Sequence, residues 1–322
     1  MCTGSAGCRP SQTARAAMPE LLPGDVLLRV GAARAVLRPQ AGGRVCSLTL
    51  VHPDGHAVPV LYQYTDAGVD SLNWAKGGIY PLVPYSNRIA QGQLHTANGT
   101  VALPPHPNAQ PHTLHGHAHV LPWTVVTHDD MSAHLRLDSP ACAAWPWHLQ
   151  ADMCFRLTAH ALQLDLSLTH LGAGDMPAGI GFHPYFLHHE NARLRYHAGR
   201  RWLTDVGCLA LGSEPLSQPE GYDAPKPLAP GMLTDYLSEW DGALELELPQ
   251  GEVLGLQTDA VLSHLVVHRP PQPLYLCLEP VSHVADGFNL AVRGVPGTGA
   301  VLLPSGGVLR GQMTISLSDR RF

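Results

Sequence analysis

The chain has 322 residues, a formal net charge of −6, 32 glycines and 29 prolines. Only 14% of its residues are charged, below the roughly 25% of an average soluble domain. No cluster of Lys or Arg offers a basic face, which argues against a nucleic-acid partner. No run approaches the roughly 18 consecutive apolar residues of a membrane-spanning helix. The length admits one large all-β domain or two ordinary ones, and the Gly and Pro content favours many short elements and turns.

Residues 1–20 are small, polar and without period, and are expected to form a disordered leader that a start at Met18 would omit. Residues 21–322 are expected to form a single domain. The start has no apolar signal core, so the expectation is a soluble cytoplasmic protein. Seven cysteines (Cys2, Cys8, Cys46, Cys142, Cys154, Cys208 and Cys277) are scattered, with no C-x-x-C pair. That pattern predicts reduced thiols, with neither a disulfide frame nor a structural zinc.

From DVLLRV onward, short alternating segments recur. YPLVPYSNRIAQGQL sets Asn87 and Arg88 between prolines and a glycine turn. An amide and a guanidinium there can hold hydroxyls or a carboxylate, or tie a loop to carbonyl groups. HTLHGHAH, 112–119, follows. On a strand His115, His117 and His119 would share a face and could ligate zinc, but Gly116 interrupts the pattern and no familiar zinc-enzyme wiring accompanies it.

AHLRLDS and MCFRLT come next, then LQLDLSLT, which places Leu162, Leu164, Leu166 and Leu168 on one face of a strand. In GIGFHPYF, Ile180, Phe182 and Phe186 face one way and Gly179, Gly181, His183 and Tyr185 the other, predicting one packed and one open face. On residue types alone, an idle surface histidine fits this stretch better than a ligand-binding one. Residues 213–232, rich in proline, read as a long surface loop. ALELELP, PLYLCLEP and QMTISLS complete the alternating set. In PLYLCLEP, Leu274, Leu276 and Leu278 oppose Tyr275, Cys277 and Glu279, so Glu279 ends a strand either exposed or in a pocket with a use for charge. Many strands without interleaved helices predict a large antiparallel sandwich.

NRIAQG, HGHAHVLPW, GFHPYF and CLEPVSH with DGFN, in that order, resemble motifs of the aldose 1-epimerase (galactose mutarotase) family, over about residue 24 to the C-terminus. The resemblance implies a large twisted all-β sandwich, of the galactose mutarotase-like supersandwich type, with a sugar groove on its concave sheet. It also implies an isomerase that interconverts the α and β anomers of a free aldose, a hexose or pentose, without metal or other cofactor. The partner would be a small sugar, and the protein a monomer or homodimer. By position, His183 would be the general acid and Glu279 the general base, while Asn87, Arg88, His115 and Tyr185 would hold ring oxygen and hydroxyls. His183 and Glu279 are then expected to rest as imidazolium and carboxylate. His112, His117 and His119 are expected in turns or at the surface.

Where the family supplies a sugar-binding Asp, LTDYLSEWDG has Thr234, with Asp235 one position later; Asp235 is the residue nominated for that contact. Two other readings are a non-catalytic carbohydrate-binding protein on the same fold and an enzyme for phosphorylated sugars. The latter would need extra cations, for which Arg193, Arg195, Arg200 and Arg201 are candidates.

Overall fold

A computed structural model describes residues 19–65, 76–217 and 221–319. Most of the expected leader, residues 1–18, lies outside the described residues. The alternating segments all become strands. LQLDLSLT falls in the strand Ala161–His170, whose inward leucines are buried at every second position. It pairs antiparallel with Leu149–Leu157 on one side and Val308–Asp319 on the other. Among the described residues, eighteen strands join one antiparallel sheet that folds over its own core, and two small two-stranded sheets stand apart. Among the described residues the one α-helix is the short Gly287–Val292, and no helix is long and apolar enough to cross a membrane.

The strands that carry GFHPYF and LYLCLEP differ from this pattern because both of their faces are buried. Ile180, Phe182, Phe186, Leu276 and Leu278 enter the main core. Tyr185, Tyr275 and Cys277 enter a second, aromatic cluster with Tyr62, Tyr80 and Tyr236 on the opposite face. The expected open face is therefore a covered one. Leu274 lies just before its strand and is exposed.

Two parts of the segment 213–232 are strand rather than surface loop, while residues 218–220 lie outside the described residues. Ala210–Pro215 and Tyr222–Pro227 are strands that add to Arg193–Thr204. Proline is tolerated in such peripheral strands, where a missing N–H costs no interior ladder bond, so the composition that suggested a loop also suits a sheet margin.

Candidate active site

Five strands lie side by side to make the floor of the site. The strand Gly181–Leu187 pairs with Ile79–Leu82 through His183 and Tyr80, and with Tyr275–Val281 through Tyr185 and Cys277. Gly181 also pairs with Val281, so the same register sets His183 opposite Glu279. Beyond, Val266 and His268 of His264–Arg269 pair with Glu279 and Cys277. Tyr236 and Thr234 of Leu233–Glu247 pair in turn with Val266 and His268. Because side chains two apart on a strand share a face, this register builds two parallel rows on one side of the sheet. One runs Tyr80, His183, Glu279, Val266, Tyr236; the other runs Tyr185, Cys277, His268, Thr234.

Two loops wall the floor and bring Asn87, Arg88 and His115 over it, closing a pocket of about 160 Å³. The Asn87 N–H donates to His115 Nδ1 (3.0 Å), and the His115 N–H donates to the Asn87 carbonyl (2.8 Å). Both residues sit at positive φ, 57° and 61°, a conformation non-glycine residues hold only where their surroundings enforce it. Gly116 follows at φ 65°, where a Cβ would lie 2.2 Å from the Val83 carbonyl oxygen, so only glycine lets the two loops approach. His283 Nε2 accepts the Ser86 N–H, and Asp286 accepts the Ala90 N–H. The residues after Glu-Pro thus brace the loop that carries Asn87 and Arg88.

His183 Nε2 lies 3.3 Å from Glu279 Oε1, with both side chains 5% exposed. The His183 ring stacks between Tyr80 and Tyr185, at 4.7 and 4.6 Å between centroids. Behind Tyr80, the buried guanidinium of Arg44 is held between the rings of Tyr80 and Tyr64 and donates to the Gly77 carbonyl. Burial lowers the pKa of His183 well below 6.5, with His268 and Arg44 adding repulsion. Burial also lifts Glu279 from 4.5 to about 8, against a lowering pull from Arg88. The expected imidazolium–carboxylate pair is therefore corrected: desolvation penalises the charged form of each group, and the resting pair near neutral pH is imidazole beside a protonated carboxyl.

His115 is likewise held neutral by burial, far below 6.5. With Nδ1 accepting from Asn87, its proton sits on Nε2, which makes that nitrogen a donor. The Tyr236 hydroxyl, raised to about 12 chiefly by burial, is hydrogen-bonded to the Asn87 side chain. Thr234 Oγ1 contacts His268 Nδ1 at 2.8 Å. The pocket therefore presents a proton-sharing pair ringed by hydrogen-bonding groups. One ligand atom from each of His183, Cys277 and Glu279 also lies within 4.8 Å of the others, a spacing open to a cation.

Six of the seven nominated residues meet here: Asn87, Arg88, His115, His183, Tyr185 and Glu279. Asp235 does not. It lies between Thr234 and Tyr236, so its side chain leaves the opposite face of the sheet and pairs with Arg201 at 3.4 Å; a shift of one residue on a strand reverses the face. Arg193 and Arg195 pair with Glu247 and Glu245, and Arg200 donates to Ser213, so none of the four nominated arginines lines the pocket. Lys76 does. His117 and His119 lie at and within a short 3-10 turn, in keeping with the turn expected, and are buried rather than at the surface. His117 Nε2 meets Ser139 Oγ, and His119 stacks on Tyr80 in a short 3-10 turn. Sequence reasoning missed Tyr80, Thr234, Tyr236, His268 and Lys76. The shared face of Thr234 and Tyr236 was visible in the alternation, whereas Tyr80 and His268 reach the site only through long-range pairing.

Comparison with known proteins identifies the class. Residues 25–260 match the aldose 1-epimerase family. The chain is 30% identical over 229 residues to the uncharacterized protein YphB of Escherichia coli K12, spanning 65% of this chain and 74% of that one. Its fold is shared with a protein of Escherichia coli K12 provisionally named an aldose 1-epimerase (TM-score 0.80, 24% identity, 92% of this chain and 99% of that one). A galactose 1-epimerase from Lactobacillus acidophilus NCFM shares it too (TM-score 0.73, 15% identity, 92% and 95%). The chain belongs to the aldose 1-epimerase family, a group of carbohydrate isomerases.

Proposed function

We propose that this protein is a mutarotase that interconverts the α and β anomers of a free aldose, with His183 and Glu279 as its acid–base pair. The observation that carries this reading is the 3.3 Å contact between the two side chains on the floor of a polar pocket. The C1 hydroxyl oxygen and the ring oxygen of a hemiacetal are bonded to the same carbon, so two proton-handling groups this close can serve both.

The pair holds one proton at neutral pH, and the chemistry needs one. Arg88 favours the carboxylate form of Glu279, and sugar hydroxyls entering the pocket replace part of its lost solvation. The proton then passes to His183. Glu279 takes the proton of the C1 hydroxyl while His183 protonates the ring oxygen, and the ring opens to the aldehyde. Rotation about C1–C2 presents the other carbonyl face, and reclosure reverses both transfers. Asn87, Arg88, His115 and Tyr185 hold ring oxygen and hydroxyls, and Thr234 and Tyr236 take the place proposed for Asp235. We place the reaction in the cytoplasm, in keeping with free thiols at Cys46 and Cys277.

A second reading, an aldose phosphate as substrate, draws on Lys76 in the pocket lining beside Arg88. Polarimetry of freshly dissolved α-aldose and α-aldose 6-phosphate separates the readings. Acceleration of the free sugar that falls about 100-fold or more in Glu279→Gln supports the proposal. Acceleration of the phosphate alone supports the second reading, and acceleration of neither rejects both.

A further inference from the structure

Away from the pocket, the hairpin between the strands Arg44–Val51 and Ala57–Pro59 reads His52-Pro-Asp-Gly-His56. It is closed by the His52 N–H donating to the His56 carbonyl at 2.8 Å, and this tight turn gathers the three polar side chains. One ligand atom from each of His52, Asp54 and His56 lies within 4.8 Å of the others. Asp54 Oδ1 is 3.2 Å from His52 Nδ1 and 2.6 Å from His56 Nδ1. Both imidazoles therefore turn the same nitrogen toward one carboxylate.

Their other nitrogens are also accounted for. His52 Nε2 lies 3.1 Å from Asp319 Oδ1, and His56 Nε2 lies 3.1 Å from Glu252 Oε1. These carboxylates are register partners at the ends of the strands Glu252–Thr258 and Val308–Asp319. A carboxylate on the far nitrogen is the usual support of a metal-bound imidazole, since it fixes the tautomer and the ring orientation. Two such supports converge on one point here.

A cluster of surface ion pairs that only ties the hairpin down would leave groups badly served. His52 is 7% exposed, and its ring nitrogens meet Asp54 and Asp319 at 3.2 and 3.1 Å as ion-pair contacts rather than as well-aligned hydrogen bonds. Unsatisfied buried polar atoms are costly, and a cation at Nδ1 would satisfy His52 directly. Around a tetrahedral zinc, N and O ligands at about 2.0–2.2 Å stand about 3.4 Å apart; His52 and Asp54 are close to this at 3.2 Å, while the 2.6 Å hydrogen bond between His56 Nδ1 and Asp54 Oδ1 must open by a rotation of the exposed His56 ring to admit the ion.

We propose that His52 Nδ1, Asp54 Oδ1 and His56 Nδ1 bind one divalent transition-metal ion, Zn²⁺ foremost, with Asp319 and Glu252 orienting the two rings. Two imidazoles and a carboxylate suit Zn²⁺ and Co²⁺ over Mg²⁺ or Ca²⁺, and solvent fills the remaining position. The ion would clip the hairpin to the ends of two other strands, so it stabilises the fold through linkage and takes no part in the sugar pocket.

The test is calorimetric titration of the metal-stripped full chain with ZnCl2, in parallel with Co²⁺ absorption spectra, for the wild type, His56→Ala and Asp54→Asn. The expected result is one equivalent bound, weakened at least about ten-fold in either variant, with a metal-dependent rise in Tm in the wild type only. The Co²⁺ spectrum should lack a thiolate charge-transfer band, and anomer exchange should be unchanged in His56→Ala. No binding would overturn the proposal, as would binding that survives both substitutions. A thiolate band would show a cysteine ligand, as the group His183, Cys277 and Glu279 would supply, and would equally overturn it.

Discussion

His197 and Asp223 form a hydrogen-bonded pair at the surface, with side chains 62% and 40% exposed, whereas His183 and Glu279 meet with 5% of each exposed. The residue types match, but the charge states do not. The hydrogen bond to Asp223 raises the pKa of His197, because water still solvates the imidazolium. Burial lowers His183 and lifts Glu279 to about 8, leaving one movable proton. Solvent access, rather than the identity of the partner, decides which pair is held charged and which is held neutral.

The sharpest way to break this comparison is to remove the histidine from each pair. His183→Ala is expected to slow anomer exchange by about 10²–10⁴-fold, the usual contribution of a positioned acid or base. His197→Ala should leave the rate unchanged. Equal effects of the two substitutions in an exchange assay would remove the distinction.

The next effect is on pH. If the relay needs the proton that Glu279 holds with a pKa of about 8, the exchange rate should fall about ten-fold per unit above that pH. A rate that stays flat to pH 10 would show that the proton is not required.

Stability should follow the same group. The folded protein binds the Glu279 proton more tightly than the unfolded chain, whose carboxyl titrates near 4.5. Its contribution is therefore fully present below about pH 4.5 and is lost as pH rises through about 8. Glu279→Gln should remove that component, so denaturant titrations should show the variant gaining on the wild type between pH 5 and pH 9. A constant difference between the two proteins would contradict the shift.

The smallest effects concern the two faces of one strand. Tyr236→Phe removes a hydroxyl from the pocket and should raise KM several-fold, by roughly the 0.5–1.5 kcal/mol of one hydrogen bond. Asp235→Asn weakens the partly exposed contact with Arg201, worth roughly 0–1 kcal/mol of stability, and should leave KM alone. The reverse outcome would show that the face assignment is wrong.

These two residues also mark how far the sequence could be read. The strand Ala161–His170 was legible because one face is buried and the other solvated, so leucine alternates with polar residues. In Tyr275–Val281 both faces are buried, and the alternation separates core leucines from Tyr275, Cys277 and Glu279, which pointed correctly to a distinct face. Asp235 was misplaced because a carboxylate was sought at a position that holds Thr234, and the next acid along the strand points away. The turn that holds His117 and His119 was legible, but its burial was not, because the burial of a loop depends on what covers it, here Ser139 and Tyr80. Protonation was misread for the same reason: reference pKa values describe solvated groups, and the dryness of the pocket is a property of the assembled sheet.

NMR exchange spectroscopy on an equilibrated aldose at pH 7 tests directly whether one proton shared by His183 and Glu279 drives anomer exchange. The account predicts strong α–β exchange cross-peaks with wild-type protein and cross-peaks at the buffer level with Glu279→Gln. Wild-type cross-peaks no stronger than those of buffer, or undiminished cross-peaks with Glu279→Gln, would contradict it.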